Sequence, residues 1–107
     1  TTGNDNVALG WGAGGSTSNT TGTNNTFIGS SAGEQIINKN DNTFIGYRAG
    51  ATNRAGAQST IIGSHAGYQP LGATYSGSAN LFAGYAAGHH IGGDNVVALG
   101  AYAGYYA

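Results

Sequence analysis

Any acid–base or metal chemistry in this chain must come from Asp5, Glu34, Asp41, Asp94, His65, His89 and His90. Catalysis needs a base, an acid or a metal held at fixed spacing. His89-His90 with Asp94 is the one cluster with metal character, but vicinal strand residues point to opposite faces. The cluster reads as a solvated turn. Asn4-Asp5-Asn6 and Asn40-Asp41-Asn42 have the composition of calcium loops without the Gly-Gly-x-Gly-x-Asp pattern of calcium-binding β-helices. They read as turn-forming side chains. "GWGAGG" at 10–15 is glycine-rich but lacks the Lys-Ser/Thr of a phosphate loop. The expectation is therefore no catalytic residue, no metal ligand and no cofactor.

Composition narrows the partners. Only 7% of the 107 residues are charged and the net charge is −1, with Lys39, Arg48 and Arg54 scattered. Neutralising a phosphate backbone takes clustered cations, so nucleic acid is not expected. No apolar run reaches the length of a membrane span, and with no cysteine there is no disulfide framework. Glycine supplies 21 residues, against the usual one in about fourteen. The chain opens at Thr1 without a leader and reads as a piece of a longer array.

The elements that position these groups repeat. Six copies read VALGWGAG (7–14), TFIGSSAG (26–33), TFIGYRAG (43–50), TIIGSHAG (60–67), LFAGYAAG (81–88) and VALGAYAG (97–104). Their first glycines, Gly10, Gly29, Gly46, Gly63, Gly84 and Gly100, are spaced by 19, 17, 17, 21 and 16 residues. That is too short for a helix pair, and the triplet before each first glycine is rich in strand formers. The expected fold is all-β: a parallel β-solenoid spanning residues 1–107 as one domain. Coils are expected near 1–19, 20–36, 37–53, 54–73, 74–91 and 92–107.

Stacking aligns like positions. Ala8, Phe27, Phe44, Ile61, Phe82 and Ala98 form one apolar ladder, assigned to the core or to a subunit interface. Leu9, Ile28, Ile45, Ile62, Ala83 and Leu99 form a second on the opposite face. A thin single-chain solenoid leaves one ladder in water, a stripe large enough to need a partner. The first glycines turn the chain at strand ends. Gly14, Gly33, Gly50, Gly67, Gly88 and Gly104 follow a small Ala and are expected at positive φ.

The place after the first glycine reads Trp11, Ser30, Tyr47, Ser64, Tyr85, Ala101, large and small in alternation. Either each ring packs over the small residue of the next coil, or the rings form an exposed ridge that stacks on sugars or adheres to a surface. Tyr68, Tyr75, Tyr105 and Tyr106 could extend the ridge. The next place holds Gly12, Ser31, Arg48, His65, Ala86 and Tyr102, a variety expected at an exposed position.

Asn6-Val7-Ala8-Leu9-Gly10, Asn25–Gly29, Asn42–Gly46 and Val97–Gly100 resemble the Asn-Ser-Val-Ala-Ile-Gly head repeats of trimeric autotransporter adhesins. They are closer still to the "NTFIGYxAG" arrays of phage tail fibres and bacterial fibre proteins. The resemblance covers the whole chain and implies a left-handed β-roll, a homotrimer and an extracellular place on a cell surface or virion tail fibre. The repeats here are longer than adhesin-head repeats, which implies one lengthened turn per coil. The expected function is a structural and adhesive fibre segment whose partners are its own copies and a host-surface protein or glycan. A filament stacking end to end is the alternative. An ice-binding solenoid ranks last, because the rank Thr26, Thr43, Thr60 is interrupted by Val7, Leu81 and Val97, replacements that suggest an inward face.

Overall fold

A computed structural model describes residues 5–15, 22–34, 40–51, 57–68, 77–88 and 94–104. The protein is all-β. The strands are β1 (Val7–Leu9), β2 (Thr26–Ile28), β3 (Thr43–Ile45), β4 (Thr60–Ile62), β5 (Leu81–Ala83) and β6 (Val97–Leu99). They form one sheet in chain order, and every neighbouring pair is parallel. The strands stack as a β-solenoid with like residues in register: Phe27 lies over Phe44, Phe44 over Ile61 and Ile61 over Phe82. All the expected coil limits fall outside the described residues.

A three-residue strand turns its middle side chain to one face and its outer two to the other. The middle rank faces inward. Phe27, Phe44 and Ile61 are fully buried, Phe82 and Ala98 nearly so, and the Phe27 and Phe44 rings meet at 5.6 Å between centroids. Ala32, Ala49, Ala66 and Ala87 close the other side of this core, with no exposed surface. The Phe ladder is thus the chain's own interior and not a subunit interface. Ala8, at the first strand, is the exception and is exposed.

The glycines answer to two different crowding problems. Gly46 (φ 128°) lies directly over Gly63, and a Cβ added to it would sit 2.7 Å from the Gly63 carbonyl carbon. Gly50 (φ 60°) faces the core, where a Cβ would meet the Phe44 ring at 2.6 Å. Both the close stacking and the left-handed backbone exclude side chains there. Between them the chain makes a tight turn, closed by Ala49 N–H donating to the Gly46 carbonyl at 3.1 Å. Arg48 occupies the third place of that turn at φ 58°, the left-handed value that a type II turn demands. Ser31, His65, Ala86 and Tyr102 repeat this conformation with φ between 56° and 61°. What these positions share is a backbone state rather than exposure: Ser31 and Ala86 are buried, Arg48 and His65 half-buried, and Tyr102 exposed. The expectation of a uniformly exposed place is corrected accordingly.

A polar ladder precedes the strands. The Asn6 side-chain oxygen accepts the Asn25 N–H at 2.9 Å, Asn25 the Asn42 N–H at 2.9 Å, and Asn42 the Ser59 N–H at 3.0 Å. Ser59 Oγ then accepts the Asn80 N–H at 3.2 Å, and Asn80 accepts the Val96 N–H at 2.8 Å. Each carboxamide satisfies a backbone donor of the next repeat, which would otherwise be buried unpaired. Asp5, Asn24, Asp41, Gln58, Ala79 and Asn95, one residue earlier, all have φ between 57° and 63°. The turn reading therefore holds for Asp5 and Asp41, whereas Asn6 and Asn42 are inter-repeat fasteners.

Candidate functional site

Two surfaces remain once the core is closed. The first is the outer face of the sheet, built from the outer residues of each strand. One rank is Val7, Thr26, Thr43, Thr60, Leu81 and Val97; the other is Leu9, Ile28, Ile45, Ile62, Ala83 and Leu99. The threonine rank points outward, because it shares the strand face opposite the buried middle residues. This corrects the expectation of an inward face. Val7, Leu9, Ile62, Val97 and Leu99 are exposed, Leu9 and Val97 at 65%. Thr26, Ile28, Thr43 and Ile45 are half-buried by their own neighbours in the stack. The second ladder is therefore the one left in water.

The second surface lies on the turns just after the strands. Trp11, Tyr47 and Tyr85 are 74%, 47% and 50% exposed, so the large rings of this rank stand at the surface. The rings that brace it come from the neighbouring place. His65 meets Tyr47 edge-on at 5.4 Å and Tyr85 at 6.0 Å, and Tyr102 meets Tyr85 at 5.4 Å. Tyr68 contacts His65 from the side at 5.5 Å. The turn geometry fixes the backbone beneath: the Trp11, Tyr47 and Tyr85 carbonyls each accept an N–H of the next repeat at 2.8–2.9 Å.

One cation sits in this group. Arg48 Nε donates to the Tyr47 hydroxyl at 3.0 Å, and its Nη1 reaches the Tyr68 hydroxyl at 3.5 Å. The guanidinium also lies 5.3 Å and 5.8 Å from the two ring centroids, within cation–π range. The bond to Tyr47 is the main cause that raises the Arg48 pKa above its ordinary value. His65 is shifted the other way. Burial lowers its pKa and the Arg48 charge adds to the effect, both favouring the neutral ring. Its Nδ1 lies 3.0 Å from Ser64 Oγ.

Of the residues with possible chemistry, Asp5, Glu34, Asp41, His65 and Asp94 are scattered over the stack, while Asn4, His89, His90, Tyr75, Tyr105 and Tyr106 lie outside the described residues. The bracing role of His65, Arg48 and Tyr102 was not foreseen. The one signal in the sequence is that His65 and Tyr102 stand two residues after a first glycine in the repeats that carry Ser64 and Ala101 in the ring rank. Comparison with protein-family models, curated proteins and solved structures gives no match to this chain.

Proposed function

We propose that this chain is a structural and adhesive segment of an extracellular trimeric fibre, either a surface adhesin head or a tail-fibre shaft, without a catalytic role. The observation that carries this reading is the outer sheet face, on which the rank Leu9, Ile28, Ile45, Ile62, Ala83 and Leu99 is apolar in all six strands and lies beside a rank of Val, Leu and Thr. A continuous face of this kind is unusual on a monomer and marks an association surface. Three copies converging on a threefold axis would bury it while leaving the turns outside as contact surfaces. The motif resemblance to trimeric fibre heads supplies the number three. Six coils, one per repeat, make the shaft.

Light scattering on the unmodified chain, 10.6 kDa per copy, tests this. The expected mass is that of three chains, stable on dilution. Replacing Ile45 and Ile62 by Lys places charge on the face and is expected to give folded monomers. A monomeric unmodified chain would sink the trimer.

Particles that grow with concentration would instead favour a filament of copies stacked end to end.

A further inference from the structure

We infer that Trp11, Tyr47 and Tyr85 form a binding strip for an uncharged, extended β-1,4-linked polysaccharide. Large rings occupy alternate repeats of one rank, with Ser30, Ser64 and Ala101 between them. Parallel strands stack about 4.8 Å apart, so the rings recur about every 9.6 Å in a line along the stack. In an extended β-1,4 chain each pyranose is turned over relative to the last, so the same sugar face returns every second residue. That two-residue period is close to the ring spacing. Each aromatic would lie under every second sugar; the intervening sugars would pass over Ser30 between Trp11 and Tyr47, and over the edge-on His65 ring between Tyr47 and Tyr85.

The physical state of the strip suits this ligand. Its three rings are the exposed aromatics of their rank, and the carbonyl hydrogen bonds beneath them hold the spacing before any ligand arrives. Contacts from His65 and Tyr102 limit the motion of the Tyr47 and Tyr85 rings, which lowers the entropy those two lose on binding. The ring and bracing ranks together contain no carboxylate, and their one fixed charge, Arg48, is engaged with Tyr47 and Tyr68. A polyanion would find too few cations; a neutral sugar face meets rings that are apolar in the middle and polar at the tip.

This inference names a target class for the adhesive role proposed above and rests on that role, but not on the trimer. Trp11 is the one tryptophan, so its emission reports on the strip without modification of the chain. Cello-oligosaccharides and chito-oligosaccharides of two and six sugars would be titrated into the unmodified chain, with α-linked malto-oligosaccharides in parallel. A β-linked hexamer is expected to shift the emission and to bind at least about tenfold more tightly than the dimer, because it alone spans several rings. The Tyr47→Ala/Tyr85→Ala pair is expected to lower that affinity at least about tenfold with the circular dichroism of the parent. No response to any β-linked hexamer, equal response to the α-linked series, or unchanged affinity in the folded double variant would each overturn the strip. Light scattering on the same samples separates this outcome from failure of the trimer.

Discussion

The two faces of the same three-residue strands follow different rules. Inside, the four central repeats carry Phe27, Phe44, Ile61 and Phe82, and each is pressed against a glycine that cannot accept a methyl group. Outside, the same strands accept Thr, Val, Leu, Ile and Ala, and several of them stand in water. The inner rank is fixed by steric fit, whereas the outer rank is free of that constraint within the chain. Core packing and the exposed sheet face are therefore built by residues that alternate along the backbone.

The sharpest way to break this distinction is to truncate one side chain from each face. Phe44→Ala empties the middle of the core and is expected to cost about 3–5 kcal/mol. Ile45→Ala, its neighbour on the outer face, is expected to cost about 1 kcal/mol or less in the monomer, as a partly exposed substitution. Urea unfolding at a concentration where the chain is monomeric gives both numbers. Equal costs would mean that the outer face is also interior, and the comparison would fail.

A smaller effect is expected in the carboxamide ladder. Asn42→Ala removes the acceptor of the Ser59 N–H in a fully buried place and is expected to cost about 1–3 kcal/mol. Asn42→Ser should recover part of this, because Ser59 already serves the same rank by accepting the Asn80 N–H through its hydroxyl. Thermal melts of the two variants rank them. If Ser is no better than Ala, side-chain volume and not the hydrogen bond maintains the ladder.

The parallel stack was legible because the apolar triplet, the first glycine and the Ala-Gly pair return at nearly constant spacing, and register follows from like over like. The face carrying the threonine rank is not legible from Val7, Leu81 and Val97, because apolar side chains also stand exposed on the outer sheet face, Val7 and Val97 among them. The asparagine ladder was also missed. Asn before a strand is a common turn signal, and only the stacked geometry shows that Asn25 and Asn42 reach across to the next repeat while Asn24 and Asp41 make the turn. Likewise, nothing in the residue types Arg48, His65 and Tyr102 announces a shared left-handed backbone. That conformation is imposed by the flanking glycines and the hydrogen bonds between repeats.

The smallest expected effect belongs to His65, on the outer turns where solvent screens charge. Arg48 is the charged group in contact with its surroundings, and Tyr47, Tyr68, Tyr85 and Ser64 complete them. Burial, then the Arg48 charge, lowers the folded-state pKa, while the unfolded chain titrates near the ordinary value of about 6.5. Above that value both states are neutral and stability is unaffected. As pH falls through it the unfolded state takes up the proton first, so stability declines until the folded ring also titrates, and then levels off. The readout is the difference between the chain and its His65→Gln variant, in which contributions common to both cancel. The parent should lose slightly more stability than the variant between pH 7.5 and 5, and Arg48→Gln should move the His65 midpoint upward by NMR. A His65 midpoint above the ordinary value would show that the aromatic strip stabilises imidazolium. Its rings would then act as a cation site, not as the uncharged platform that a neutral polysaccharide requires.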